Sequence, residues 1–474
     1  MSGGSSPHTR RLRGMLLLAL LYCALAYVLP RPASLTPAAW RLAALFLTTV
    51  AGLVFQPMPG GALVLLAVAL APFLTSLKLA DALGGYSDPT VWLVVSAFFI
   101  SRALLNTGLA RRIALGFVRW FGSSTVGVCY ALGLSDMVLA TIIPSNGARS
   151  GGVVLPIARS IADLYGSEPG GSARRLGSYL MAAVYQTICV TAAMFLTGQA
   201  SNPLAAQMAG AYGYKVTWAG WLAAGFVPGL ISLAVIPWVV LKLYPPEIRN
   251  TPEATTFART EIGKMGPMSA REKVLTGIFA AVCTAWVSSS WTGVDITLVA
   301  LCGCAALLAT GVLEWSDIVR EHAAWDLFFW YGGLVRLGKA LNEQGVTHAF
   351  AQGVGASFSA LDWLPLLLVA LLVFYYAHYL FASITAHILA MYAPFLALLA
   401  AKGAPIGLVV FSFACLANLS AGLTNYGTTP SPMFFAQGYV SMGDWYRIGF
   451  VVSLCHLLIW GTAGLAWWKL LGLW

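Results

Sequence analysis

Apolar runs of membrane-crossing length, separated by short polar turns, occupy most of the chain. A helix needs about 20 mostly apolar residues to cross the hydrocarbon of a bilayer. Such runs, or near approaches to them, lie at about 15–30, 38–56, 61–77, 90–107, 178–197, 217–243, 274–290, 294–313, from near Trp325, at 405–421 and at 446–470. Two places depart from this pattern. Runs 124–143 and 153–163 flank the polar, glycine-rich stretch Pro144 to Gly152, and the second run is too short to span. Runs 363–381 and 388–401 flank Ala382 to His387 in the same way. Each pair predicts a helical hairpin that enters the membrane and leaves by the same side. Irregular backbone survives at membrane depth only inside protein or beside a wet cavity.

Two more interruptions follow the hairpins. The run 178–197 breaks at Thr197 to Pro203, and the run 405–421 is followed by a break at Leu423 to Pro432. Pro203 and Pro430 lack a backbone donor, which frees a carbonyl one turn earlier. Because apolar residues resume at Leu204 without a charged loop, a helix broken within the membrane is expected there. The prediction is an all-α polytopic membrane protein with about 11 transmembrane helices, two re-entrant hairpins and two broken helices. Residues 1–37 form the tail and first span. A first repeat, 38–243, holds hairpin 124–163 on the cytoplasmic side, and 244–273 is a cytoplasmic linker. A second repeat, 274–474, holds hairpin 363–401 on the outer side.

The halves echo each other. Trp92 and Trp325 are 233 positions apart, Gly108 and Gly345 237, and Ser145 and Ser383 238. Each serine is followed four residues later by a basic residue, Arg149 or His387. An odd number of spans per half inverts the second copy. Paired interrupted segments in an inverted repeat are the best pointer in a sequence to a transporter's midplane site.

Composition agrees: 59% of residues are hydrophobic, 9% are charged and the mean hydropathy is +0.79. The net charge of +10 arises from Lys and Arg beside apolar runs, so it reports topology rather than nucleic-acid binding. Arg10, Arg11 and Arg13 put the N-terminus in the cytoplasm, and Arg111, Arg112, Arg119, Arg174 and Arg175 flank the first hairpin on that side. A multi-pass protein of the cell (inner) membrane is expected. The eight cysteines lie in apolar runs and read as packing residues. No carboxylate cluster, metal-ligand spacing or nucleophile–base arrangement stands out, so neither an enzyme nor a bound cofactor is expected.

Tips and breaks expose backbone donors and the positive ends of helix dipoles, which suit carboxylates. Candidate substrate-binding residues are therefore Ser145, Asn146, Gly147 and Arg149 at the first tip and Asn202 and Pro203 at the first break. Their counterparts are Ser383, Thr385 and His387 at the second tip and Asn425, Thr428, Thr429 and Pro430 at the second break. An arginine within the membrane is costly and points to function; Arg149 could grip a carboxylate bidentately, or pair with Asp136. A protonated His387 would meet a second carboxylate, while a neutral one would be an ordinary hydrogen-bonded helix residue.

At these residues the chain resembles the divalent-anion:sodium symporter family, which carries a Ser-Asn-Thr motif at each hairpin tip. Ser145-Asn146-Gly147 matches the first with Gly for Thr, and Ser383-Ile384-Thr385 the second with Ile for Asn. The segment Ser420 to Pro430 looks like the branch of citrate/succinate and tartrate/succinate antiporters and plastid 2-oxoglutarate/malate translocators. The resemblance implies a homodimer in lipid and an elevator-like movement of the hairpin domain. It also implies carboxylate substrates such as succinate, malate, 2-oxoglutarate, tartrate or citrate. Ile384 supplies no oxygen for a sodium ion, whereas Ser145 and Asn146 could. If Arg149 and His387 replace sodium as fixed cations, bare return of the empty carrier is costly. Obligate anion exchange is then expected, with sodium-coupled dicarboxylate symport as the alternative.

Overall fold

The computed structural model describes residues 7–350 and 362–474. Part of the polar outer stretch expected at 342–362 lies outside the described residues, as does the very start of the N-terminal tail. The described residues form helices joined by turns, with one isolated β-bridge between Ser124 and Asn250, and nine of the helices are long and apolar enough to cross a membrane. Three shorter apolar helices accompany them: Gly60–Leu74, Thr125–Ala140 and Ile296–Ala309.

The repeat is visible in local geometry. At the first tip a four-residue α-turn, Asn146–Arg149, runs into a π-helical turn, Ser150–Val154, and then into helix Leu155–Leu164. At the second tip the same sequence of turns is Ile384–His387, Ile388–Tyr392 and Ala393–Ala401, each starting 238 positions later. Pro156 and Pro394 occupy the same place in the two copies. Each tip helix folds back on a partner, Thr125–Ala140 in the first copy and Trp363–Ala377 in the second.

Helix Gly177–Met194 is buried along its whole length and packs against the first hairpin, Trp218–Leu243 and Ile406–Ser420. It stops earlier than the apolar pattern suggests, at an extended Phe195, and the chain restarts as helix Ser201–Gly210. Ile406–Ser420 is likewise buried, gives way to a 3-10 turn, Ala421–Leu423, and restarts at Pro430–Phe435. Asn202 explains why the first break is tolerated inside the protein. Its Nδ2 donates to the carbonyls of Ala192 and Phe195, both at 2.8 Å; the Phe195 carbonyl also accepts from Gly198 N at 2.9 Å. Its Oδ1 accepts from Asn418 Nδ2 at 2.8 Å, so the two broken helices are joined by an amide bridge.

A second group of helices, Pro37–Phe55, Gly60–Leu74, Pro89–Asn106 and His322–Glu343, packs beside this centre. Its members approach closely: a Cβ on Gly85 would stand 1.9 Å from the Gly332 carbonyl, so only glycine fits. The linker is more ordered than its polarity suggests. Helix Pro252–Met265 lies on the amphipathic helix Leu109–Phe121, held by Arg111–Glu261 at 2.8 Å, while Arg112 binds Glu272 at 2.7 Å and the Gly266 carbonyl at 2.9 Å.

Candidate functional site

Both tips and both breaks converge on one cavity of about 420 Å³. Ser145 and Asn146 contribute from the first tip, Ser383 and Thr385 from the second, Gln199 and Ala200 from the first break, and Tyr426, Thr428 and Thr429 from the second. Gln56, Phe98, Leu327 and Trp330 of the neighbouring helix group close the opposite side. Among the described residues, the lining carries hydroxyls, amides and aromatic rings but no charged side chain and no histidine.

The local sequence explains how helix ends come to face this space. Ser145 caps the first tip helix, accepting from Ala148 N at 3.1 Å, and Ser383 caps the second, accepting from Ala386 N at 3.5 Å. A cap serine satisfies one of the free N–H groups of the first turn and leaves others pointing past it. Gln199 and Ala200 precede the helix Ser201–Gly210, and Thr428 and Thr429 precede Pro430–Phe435. The two halves are stitched across the cavity wall, since Asn146 Nδ2 donates to Thr428 Oγ1 at 3.0 Å. Each helix start carries about half a positive charge. Free N–H groups at helix starts favour negative charge nearby.

The expected site residues therefore divide. Ser145, Asn146, Ser383, Thr385, Thr428 and Thr429 line the cavity together. Arg149 does not. It is fully buried behind the tip, with Nε 2.8 Å from Asp136 Oδ1 and Nη2 3.4 Å from Asp136 Oδ2. Its Nη1 donates to the carbonyls of Ile143 at 2.7 Å and Gly198 at 2.8 Å. Asp136 also accepts from the Thr191 hydroxyl. The guanidinium is spent on the protein, so the expected grip of Arg149 on a substrate carboxylate is corrected to a latch between the first tip and the first break.

His387 is buried as well, stacked on Phe374 and Phe381 and in contact with His378, so the expected direct contact with a second carboxylate is also corrected. Asn202 and Pro203 are buried in the amide bridge and the helix start rather than at the cavity. Gly147 faces Thr429, where an added Cβ would come within 2.7 Å of Cγ2. Asn425 accepts from Tyr446 at 3.4 Å, and Pro430 opens its helix; neither lines the cavity. Sequence reasoning missed Gln199, although it lies inside the recognised break. It also missed Gln56, Phe98, Trp330 and Tyr426. Gln56 had one signal, a polar residue closing an apolar run before Pro57; it adopts φ 48°, the left-handed region that non-glycine residues seldom occupy.

Comparison with known proteins places these features. The sodium:sulfate symporter transmembrane region matches residues 10–474. The Bacillus subtilis (strain 168) protein described as "Putative malate transporter YflS" is 41% identical over 461 residues, covering 97% of this chain and 96% of that one. Chloroplastic dicarboxylate transporter 1 of Spinacia oleracea is 38% identical, covering 97% of this chain and 81% of its own. The Alcanivorax borkumensis YdaH transporter has a similar fold, with a TM-score of 0.56 at 14% identity over 99% of each chain.

Proposed function

The chain belongs to the sodium:sulfate symporter transmembrane family and is a multi-pass membrane transporter rather than an enzyme, and on that premise we propose that it carries dicarboxylates by anion exchange. The observation that carries the reading is the uncharged cavity ringed by helix starts at both tips and both breaks. A small dianion such as succinate or malate places a carboxylate against each tip, where free N–H groups and the Ser145 and Ser383 hydroxyls receive it. The printed names of relatives, a malate transporter and a dicarboxylate transporter, support this substrate class.

Exchange rests on a different charge from the one expected. Arg149 travels with Asp136 and is neutral as a unit. The empty cavity instead keeps its helix starts with no anion to meet them. Moving that uncompensated potential through a low-dielectric barrier is unfavourable, and a bound dianion relieves it. The hairpins and broken helices would then move as one unit against the 37–55, 89–106 and 322–343 helices, elevator fashion, with the cavity at the boundary.

Sodium-coupled symport is the second reading, favoured by the side-chain oxygens of Ser145 and Asn146 at the first tip. Against it, the Ile143 and Gly198 carbonyls beside that tip already accept from Arg149, and Ile384 brings no side-chain oxygen to the second tip. Labelled succinate uptake into liposomes tests both. Uptake that requires internal dicarboxylate and ignores sodium is the expected outcome. Sodium-driven uptake into empty vesicles would overturn the exchange reading.

A further inference from the structure

His378 and His387 form a short hydrogen-bonded chain with one end open. His378 Nε2 lies 2.9 Å from the Gly427 carbonyl, and His378 Nδ1 lies 3.0 Å from His387 Nδ1. A carbonyl can only accept, so Nε2 of His378 carries a hydrogen. In a neutral His378 ring, Nδ1 is then bare, and His387 Nδ1 must be the donor. This fixes the lone pair of a neutral His387 on Nε2. That atom is buried and has no hydrogen-bond partner among the described residues. A buried polar atom without a partner calls for an explanation.

Two aromatic rings flank the His387 ring. The Phe374 ring stacks on His387 with centroids 4.1 Å apart and planes at 27°, and Phe381 stacks at 5.0 Å and 23°. Aromatic faces attract cations, the more so when water is excluded. Phe374 stands at the repeat position that Asp136 holds in the first hairpin, 238 residues earlier. The cation of the first hairpin thus has a permanent carboxylate partner, and its counterpart has none. Among the described residues, the ionisable side chains on the elements that pack most closely against the second tip include Arg41, Cys415, Tyr375, Tyr376, Tyr379 and Tyr392. No carboxylate is among them.

We propose that Nε2 of His387 is a proton site that loads together with the anionic substrate. The inference rests on the reading of the cavity as a dicarboxylate site. The proton comes from solvent and adds to the lone pair; both existing hydrogen bonds of the pair persist, and no other bond is made or broken. The resulting imidazolium sits two residues beyond Thr385, which lines the cavity, and its partner His378 is tied to Gly427, next to Thr428. With no carboxylate among those described side chains to neutralise it, the charge is stabilised by a dianion in the cavity, and the dianion by the charge. Proton and substrate then favour each other. Where the free ring is neutral and the loaded ring protonated, substrate affinity falls roughly tenfold for each unit rise in pH.

Two measurements on the purified full chain test this. The first is NMR of protein labelled with nitrogen-15 in histidine, read without substrate. The expected result is a neutral His387 with hydrogen on Nδ1 and a bare Nε2; a neutral His387 with hydrogen on Nε2 would overturn the proposal. The second is addition of succinate in weak buffer, at a pH where succinate is fully ionised. Uptake of up to one proton per molecule bound is expected in the wild type. In His387→Gln, succinate should still bind, without proton uptake and with an affinity that no longer depends on pH. Binding without uptake in the wild type, or uptake that survives His387→Gln, would also overturn it. Failure of succinate to bind at all would count against the dicarboxylate reading, while the ring-nitrogen spectrum of the native protein decides the proton site by itself.

Discussion

Arg149 donates through Nη1 to the Gly198 carbonyl at 2.8 Å, so the tip of the first hairpin is latched to the break in the helix that follows it. The latch is also neutralised, by Asp136 on the partner arm of the hairpin. It holds Ser145 and Asn146 on one side, and Gln199 on the other, at the same cavity.

Breaking the latch on one side leaves a buried charge alone. Asp136→Ala should destabilise the protein by about 3–5 kcal/mol, the usual result of removing one partner of a buried pair. The double variant Asp136→Leu with Arg149→Met should recover most of that loss and still bind succinate. Thermal unfolding in detergent, followed by succinate titration, checks both halves. Loss of binding in a stably folded double variant would mean that Arg149 touches substrate after all.

Gly147→Ala should press the first tip away from the second break. Its Cβ would stand 2.7 Å from Thr429 Cγ2, and overpacking of this kind costs about 1–3 kcal/mol. Adding Thr429→Ser removes the clashing methyl and keeps the hydroxyl. Transport lost in the single variant should therefore return in the double.

The amide bridge between the broken helices should show strong coupling. Asn202→Ala strips the side-chain donor from the Ala192 carbonyl, at about 1–3 kcal/mol for a group left unsatisfied, and removes the bridge to Asn418, while the Phe195 carbonyl keeps Gly198 N and Asn418 keeps the Ala414 carbonyl. Asn418→Ala alone should cost less. A double-mutant cycle on unfolding free energy should give a coupling of about 0.5–3 kcal/mol between the two asparagines; additive effects would mean that the bridge is incidental.

The cap serines should matter to the anion as well as to the helix. Ser145→Ala and Ser383→Ala each remove a cap worth about 1 kcal/mol. They also take a hydroxyl from the cavity wall, so each should weaken succinate binding about fivefold or more. Isothermal titration of each single variant reads this directly. An effect at one tip only would mean that the substrate is held from one side.

The architecture was largely legible because helix breaks in apolar runs leave few alternatives. The register of the repeat was legible too, since Ser145 and Ser383 carry the same capping role. For the basic residues the sequence left two readings open, and for a physical reason. Whether Arg149 faces substrate depends on Asp136, thirteen positions earlier on the other arm of a hairpin, where spacing gives no sign of contact. His387 was similar, because its partner His378 lies across the second tip. Phe98, Leu327 and Trp330 reach the cavity only through packing of helices distant in sequence, which no local pattern reports.

A cavity whose positive potential comes from helix starts holds its charge in the main chain, which every residue shares. Substitution of the wall side chains can change the length, shape and hydroxylation of the acid that fits, yet it leaves the demand for an anion intact. Such a site can drift between substrates over evolutionary time without passing through an intermediate that binds none. The same property makes it hard to abolish anion recognition with a single point change, and easy to retune it.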